Sequence, residues 1–253
     1  MSAPAELIVR ALPSLPDVRS GADLAGLLAA AAPDDLADGD VVVVAHKVVS
    51  KAEGRVRRLA EIEPGERALA LARGHDKNAR LVQAVLDEAA DVLRAHEGTL
   101  ICETHHGFVC ANAGIDQSNA SRDGELVLLP ADPDGSARRL RSGLAAARGV
   151  RPAVVVADSF GRAWRLGQVD VALGVAGLTP LDAWAGRPDA YGRILNVTSI
   201  AVADAVAAAA DLARAKDALR PVVLVRGLER FVTAADGPGA AALRRPREQD
   251  LFR

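Results

Sequence analysis

RPAVVVADSFGR, residues 151–162, is the stretch from which the fold can be worked out. A Pro precedes a run of Ala and Val residues, and such a short, Val-rich run predicts a buried strand. The apolar run stops abruptly at Asp158 and Ser159. We therefore expect a carboxylate and a hydroxyl at the rim of a sheet, where they either bind a ligand or cap the next turn.

A second Val-rich run, GDVVVVAHKVV at residues 39–49, follows a Gly-Asp turn and predicts another buried strand. Because strands and helices intermix without a regular alternation, the pattern predicts a mixed α/β (α+β) fold. Residues 1–233 are predicted to form one domain, and the polar residues 234–253 a C-terminal arm or linker. The remaining predictions are strands at 99–106, 125–130, 168–178 and 221–228, and helices at 76–94, 136–149 (capped by Ser136 and ended by Gly149) and 199–218.

The composition narrows the class of protein. The 253 residues are enough for a sizeable core, which must be built from Ala, Val and Leu because only 3% are aromatic. A net charge of −2 and few aromatic residues argue against a nucleic-acid partner. Two cysteines cannot form a disulfide framework, and we find neither a signal-peptide pattern nor an apolar window long enough for a membrane span. We therefore expect a cytoplasmic protein without a membrane partner.

Two segments of the chain each contain one Asp that could bind a ligand. One segment is rich in Gly and Asn, and the other lies at the end of a predicted strand. Asp116 lies in NAGIDQSN (112–119), where Asn119 is placed to hydrogen-bond a base, ribose or phosphate. Together with Asp158 it would make a divalent-cation site if the fold brings the two carboxylates together. The alternative is that both segments are held by Asx turns and caps.

Lysines are rare in the chain, and two of the four, Lys47 and Lys51, occur in HKVVSK. Their ammonium groups are suited to phosphates, although a solvated strand end is equally compatible with the pattern. Neither a P-loop nor a GxGxxG motif is present, so a nucleotide would have to bind in another architecture.

The remaining polar side chains carry weaker signals. His105 and His106 would point to opposite faces of a strand, and the spacing with Cys102 and Cys110 is not that of a zinc finger. Cys110 lies in the apolar run FVCA, where a Cys usually packs as a small hydrophobe. The segment FGRAWRLGQVD (160–170) would suit an anionic or planar ligand, or an Arg stacked on a Trp at the surface.

Taken in order, the segments VVVVAHKVVSKAEGR, ICETHHGFVCANAGIDQSN and VVVADSFGRAWRLGQVDVALGVAGLTPL resemble the coenzyme F420-0:L-glutamate ligase family. These are the γ-glutamyl ligases that extend the deazaflavin coenzyme F420. The resemblance runs from about residue 6 to residue 228. The ending RRPREQDLFR also resembles the junction in actinobacterial two-domain members, in which a nitroreductase-like domain follows the ligase domain.

The resemblance implies a GTP-dependent reaction. GTP activates the terminal carboxylate of F420-0 as an acyl phosphate, the amine of L-glutamate attacks it, and GDP and phosphate are released. Where further rounds occur, they build a γ-linked tail. The resemblance also implies a requirement for manganese or magnesium, assistance by potassium, and an intertwined homodimer with the fold of the family.

The resemblance further implies the roles of individual residues. Asp116 and Asp158 are expected metal ligands, with Ser159 at a second metal, and Asp116, Asp158 and Lys51 are the expected catalytic residues. The GTP-binding positions implied by the resemblance are Leu15, Pro16, Asp17, Val18, His46, Lys47, Lys51 and Asn119.

The chain departs from the family pattern in two places. His46 stands where relatives commonly have a small polar residue, and LARAKDALRP (212–221) has Arg214 and Ala215 where relatives often have a Gly followed by an acidic or amide residue. Two alternatives stay open, and the altered loop supports the second of them. One is a metal-dependent phosphatase or nucleotide hydrolase with the same carboxylates, and the other is a non-catalytic deazaflavin- or nucleotide-binding module.

Overall fold

A computed structural model of the chain describes residues 6–117 and 124–251. Within these residues the fold is mixed α/β, as the sequence predicts. The helices are α1 (Leu24–Ala31), α2 (His46–Ala52), α3 (Glu66–His75), α4 (Ala79–Glu88), α5 (Pro133–Arg148) and α6 (Val202–Ala213). The strands are β1 (Ile8–Ala11), β2 (Val41–Ala45), β3 (Val56–Arg58), β4 (Ala89–His96), β5 (Thr99–Thr104), β6 (Val109–Ala111), β7 (Glu125–Val127), β8 (Ala153–Arg162), β9 (Arg165–Ala176), β10 (Leu181–Ala183), β11 (Ser199–Ala201) and β12 (Val222–Arg226).

The central sheet has five strands in the order β1-β12-β2-β8-β9. β2 and β8 are parallel, in a register that runs from Val41 opposite Ala153 to Ala45 opposite Ala157. The other neighbours in this sheet are antiparallel. Because β2 and β8 run in the same direction, the residues that follow them meet at one edge of the sheet.

Both faces of the central sheet are covered, which explains the uninterrupted Val runs. Alternate residues of β2 face two different cores, because successive side chains of a strand point to opposite faces. Val42 and Val44 pack with residues of α1 and α5, whereas Val41 and Val43 pack with the small residues of α6. Each fully buried Val contributes roughly 1.5–3 kcal/mol of hydrophobic stabilisation.

A smaller layer stands beside the central sheet. It consists of the antiparallel strands β4, β5 and β6 with the helices α3 and α4. Leu100 and Cys102 of β5 are fully buried there against Val82 and Val85 of α4. No helix in the two described ranges is both long and apolar enough to cross a membrane.

Residues 234–251 pack onto the body of the protein. Arg141 of α5 is a fully buried arginine, and its guanidinium donates hydrogen bonds to the carbonyl of Thr233 and to the carboxylate of Asp236. Asp134 at the start of α5 accepts a hydrogen bond from the amide of Ala240 at 2.7 Å. These contacts attach the C-terminal segment to α5.

Several boundaries predicted from the sequence are wrong. The strand predicted at 39–49 stops at Ala45, and the helix α2 begins at His46. The helix predicted at 76–94 ends at Glu88, because residues 89–96 pair with β5 as the strand β4. The helix predicted over 199–218 is limited to Val202–Ala213. In the first two cases the apolar spacing is compatible with both a helix and a strand, and tertiary contacts decide between them.

The caps of α5 also differ in part from the prediction. Asp132, and not Ser136, caps the helix, since its carboxylate accepts a hydrogen bond from the amide of Gly135 at 2.9 Å. Gly149 ends the helix in a left-handed conformation with φ of 69°, as predicted.

Gly174 of β9 tests the packing of α5 against the sheet. A Cβ atom at this position would overlap the carbonyl group of Pro133, which is backbone and cannot give way easily. We expect Gly174→Ala to lower the free energy of unfolding by about 1–3 kcal/mol in urea denaturation. Gly161→Ala is the matched control, because a Cβ atom there would meet open space. Equal stabilities of the two variants would contradict this account of the α5–β9 contact.

Candidate active site

The site forms where β2 ends and β8 continues. β2 stops at Ala45, whereas β8 runs on through Asp158 and Ser159 to Arg162 and pairs with β9. The strand therefore does not end at Asp158 as the sequence suggests. From Asp158 onward β8 has lost its parallel neighbour, so this part of β8 borders an open cleft beyond the sheet edge.

The first turn of α2 brings a buried histidine to this edge. His46 follows Ala45 directly, and its Nε2 lies 3.3 Å from Oδ1 of Asp158. The His46 side chain is 1% exposed and that of Asp158 is 16% exposed. Nδ1 of His46 lies 3.4 Å from Oγ of Ser50, one turn later on α2. The buried imidazole of His46 thus lies against the Asp158 carboxylate.

A cleft of about 340 Å³ lies in front of these residues. Its walls come from the segment before α1, from α2, from the β8–β9 pair and from the loop after α6. Leu15 and Val18 also pack into the core beneath the cleft, which anchors the first of these walls. The lining residues include nine predicted site residues, namely Leu15, Pro16, Asp17, Val18, His46, Lys47, Lys51, Asp158 and Ser159.

Asp116 reaches the site through an ion pair. Its Oδ2 lies 2.6 Å from Nζ of Lys47, which lines the cleft. The Asp116 backbone exchanges two hydrogen bonds with Val127, at 3.0 and 2.9 Å, so the carboxylate is held on a fixed backbone. The structure thus joins two segments that the sequence could only offer separately. Asn119, the other predicted residue of that segment, lies outside the described residues.

Sequence reasoning missed Asp170 and the part played by Arg214. Asp170 of β9 stands opposite Ser159 of β8 and accepts a hydrogen bond from its Oγ at 2.6 Å. The other carboxylate oxygen of Asp170 forms an ion pair with Nη2 of Arg214. Lys216 completes the group, with Nζ 3.4 Å from Oγ of Ser159. The pairing register of the β8–β9 hairpin places Asp170 beside Ser159. The one signal in the sequence was the position of Asp170 at the end of the Arg-Trp segment FGRAWRLGQVD.

Burial dominates the electrostatics of Asp170. Its side chain is 2% exposed, and this loss of water raises the pKa of the carboxyl above its ordinary value. The charge of Arg214 and the hydrogen bond from Ser159 act in the opposite direction and favour the carboxylate. The carboxylate of Asp170 therefore depends on its two partners for its charge.

The histidines and cysteines that stand out in the sequence lie elsewhere. His106 donates from Nε2 to the carbonyl of Pro130 at 2.9 Å, and it stacks on Phe108. Cys102 and Cys110 face each other across β5 and β6 as buried thiols, and burial raises the pKa of Cys110 to about 12. Trp164 is exposed at the tip of the β8–β9 hairpin and does not line the cleft.

The donor atoms of the cleft suit a hard divalent cation. Asp158, Ser159 and the neighbouring Asp116 offer carboxylate and hydroxyl oxygens, which magnesium and manganese prefer. Among the described residues no group of three His, Cys, Asp or Glu side chains is arranged to hold a metal ion. Magnesium commonly takes one or two carboxylates and completes its shell with water and substrate phosphates, so the residues present fit such a cation.

The fold and the cleft define a class of protein. A cleft at the carboxyl ends of parallel strands is where α/β enzymes bind their ligands. Here that cleft combines acidic side chains with several lysine and arginine side chains. The chain is accordingly an α/β enzyme, and sequence comparison identifies its family.

The family model described as F420-0:Gamma-glutamyl ligase matches residues 14–227. The coenzyme F420:L-glutamate ligase of Methanothermobacter thermautotrophicus is 45% identical over 243 residues, which are 94% of this chain and 96% of that protein. The protein of the same name from Methanopyrus kandleri is 43% identical over 238 residues, 93% of each chain. The chain belongs to the F420-0:gamma-glutamyl ligase family and is an enzyme of the ligase class.

His106 gives the protein a predictable response to acid. Burial lowers the pKa of His106 below its ordinary value of 6.5, so the unfolded chain takes up this proton at a higher pH than the folded chain. The stability that depends on neutral His106 is present above pH 6.5 and is lost as the pH falls toward the lowered pKa. We expect His106→Gln to show a smaller fall in the free energy of unfolding between about pH 7.5 and 5.5.

Chemical denaturation at several pH values measures this difference. His96→Gln is the matched control, because His96 is 84% exposed. A His106→Gln profile with the same slope as the parent would show that His106 does not contribute to the acid response.

Proposed function

We propose that this enzyme uses GTP to join L-glutamate to coenzyme F420-0 through an amide bond. The observation that carries the proposal is the convergence of Leu15–Val18, Lys47, Lys51 and Asp158 on a single cleft. Three separate segments of the chain supply these residues, and the relatives with matching sequences are named for glutamate ligation to F420. We further propose a cytoplasmic site of action.

The reaction requires two substitutions. An oxygen of the F420-0 carboxylate attacks the γ-phosphorus of GTP, the bond to the β-phosphate oxygen breaks, and GDP leaves. The amine of L-glutamate then attacks the acyl carbon, and phosphate leaves as the carbon–nitrogen bond forms. Both steps depend mainly on positioning and on neutralising the negative charge of phosphate oxygens. Repetition on the new γ-carboxylate would extend the tail.

The lysines of α2 are suited to neutralising the negative charge of phosphate oxygens. Lys47 and Lys51 lie one turn apart on the same helix, and both line the cleft. Each ammonium is a compact charge on a flexible stem, which is suited to phosphate oxygens. In the structure Lys47 is 2.6 Å from Asp116, so entry of a phosphate would offer Lys47 a second anionic partner.

Asp158 and Asp116 are the residues proposed to hold a divalent cation, manganese or magnesium, and Ser159 is the residue that the family resemblance assigns to a second cation. When bound, such a cation supplies charge neutralisation at the phosphate oxygens. The buried His46 lies against this group, with its Nε2 3.3 Å from Oδ1 of Asp158. Asn119 as a GTP contact and the assistance by potassium remain predictions from the family resemblance.

We also propose a homodimer, supported by exposed apolar residues outside the cleft. Leu166, at the tip of the β8–β9 hairpin, is 98% exposed, and Tyr191 and Val197 are exposed to a similar degree. Large apolar side chains that an isolated chain leaves in water are of the kind that a partner covers.

Leu166→Asp tests the homodimer. A charge at a buried apolar contact is costly, so we expect the variant to sediment as a monomer at concentrations at which the parent sediments as a dimer. Leu212→Asp is the matched control, because Leu212 is equally exposed but lies on α6. A parent chain that sediments as a monomer would contradict the homodimer.

Incubation with F420-0, L-glutamate, GTP and manganese tests the activity. We expect a mass increase of one glutamyl residue in the coenzyme, with one GDP and one phosphate released for each amide formed. GTP consumption at the same rate without glutamate and without an adduct would instead identify a nucleotide hydrolase. Tight binding of GTP without turnover would identify a binding module.

Asp158→Asn should lower the rate of amide formation at least about a hundredfold, since a cation held at a phosphate contributes several kcal/mol of charge stabilisation. The melting temperature should change little, because Asp158 borders an open cleft. Asp87→Asn is the control, since Asp87 pairs with Arg57 outside the cleft. A wild-type rate for Asp158→Asn would remove Asp158 from the proposed mechanism.

A further inference from the structure

The loop after α6 carries an arginine into the wall of the cleft. α6 ends at Ala213, and Arg214 caps it with an extended backbone whose amide donates to the carbonyl of Asp211. Residues 214–216 then line the cleft. The side chains of this loop therefore contribute to the chemistry of the cleft.

Arg214 and Ser159 together occupy both oxygens of the Asp170 carboxylate. Nη2 of Arg214 pairs with Oδ2, and Oγ of Ser159 donates to Oδ1 at 2.6 Å. The pair is almost fully buried, because the side chain of Arg214 is 11% exposed and that of Asp170 is 2% exposed. Removing one partner of a buried ion pair leaves an unpaired buried charge, which is strongly destabilising, so this arrangement is fixed.

A second basic group lies beside Ser159. Nζ of Lys216 lies 3.4 Å from Oγ of Ser159. The cluster of Ser159, Asp170, Arg214 and Lys216 thus contains two cationic groups and one carboxylate. A divalent cation bound at Ser159 would meet these two positive charges at close range and would find both oxygens of Asp170 already paired.

Arg214 retains one unused donor. Its Nη1 atom is buried, and within the described residues it has no hydrogen-bond partner. A buried guanidinium nitrogen without a partner is costly, and an anionic oxygen in the cleft would relieve that cost. The phosphate groups of a bound nucleotide would supply such oxygens.

We propose that Arg214 is a fixed internal cation that replaces a second divalent cation at Ser159 and Asp170. The cleft then takes one divalent cation, on the side of Asp116 and Asp158, and Nη1 of Arg214 donates to a phosphate oxygen. Arg214 is thus a positioning and charge-supplying residue that determines the metal stoichiometry. The inference rests on the proposed function, because the phosphate groups belong to GTP.

Electron paramagnetic resonance of Mn²⁺ measures this stoichiometry in the full chain. We expect the parent to bind one Mn²⁺ per chain at saturation, both with Mn²⁺ alone and with Mn²⁺ and GTP. Its spectrum should be that of an isolated ion. Two Mn²⁺ ions with the spin coupling expected at about 3.5–4 Å would overturn the proposal, and this result needs no variant.

Arg214→Gln should free the Asp170 carboxylate and double the number of bound Mn²⁺ ions from one to two. Arg214→Lys keeps the charge and should bind one, as should the double variant Arg214→Gln with Asp170→Asn, which lacks the carboxylate. Arg151→Gln is the matched control, because Arg151 pairs with Asp236 at 3.2 Å outside the cleft. Circular dichroism establishes that each variant is folded before Mn²⁺ is counted.

An unchanged count of one Mn²⁺ in folded Arg214→Gln would overturn the proposal. That outcome is distinguishable from a failure of the proposed function, because Mn²⁺ counting does not involve glutamate or F420-0. A chain that forms the amide and binds two coupled Mn²⁺ ions retains the function and loses the inference. A chain that binds one Mn²⁺ ion and forms no amide loses the proposed function and retains the inferred metal stoichiometry.

Discussion

The parallel pairing of β2 with β8 is the contact on which the rest of the molecule depends. It joins two fully buried Val-rich strands over the register Val41–Ala153 to Ala45–Ala157. Their alternate side chains form both hydrophobic cores, one against α1 and α5 and the other against α6. Since the two strands share a direction, their carboxyl ends lie at one edge, and this sets His46 beside Asp158.

The two ends of the cleft differ in how freely their charges can rearrange. Lys47 and Asp116 are 20% and 34% exposed, so solvent screens this pair and a phosphate can compete for the lysine. Arg214 and Asp170 are nearly excluded from water, and each would be left as an unpaired buried charge without the other. The Lys47–Asp116 pair can therefore exchange partners when a ligand binds, whereas the Arg214–Asp170 pair keeps its arrangement of charge.

Elements whose patterns had only one interpretation were predictable. The strands around residues 153–157 and 222–226 and the end of α5 at Gly149 follow from Val-rich runs and a left-handed glycine. Residues 89–96 have helical spacing but pair with β5, so local preference lost to strand pairing. Asp170 was missed because its role arises from the β8–β9 register, which no local pattern encodes.

The sequence by itself determined the composition of the core, the mixed α/β class and the family, since these follow from buried apolar runs and from an ordered set of motifs. It also marked Asp116, Lys47 and Asp158 as separate candidates. Only the tertiary structure decided which side chains share the cleft and which charges pair within it. The physical reason is that ion pairing depends on distances between residues far apart in the chain, such as Asp170 and Arg214, and these distances exist only after the strands have paired.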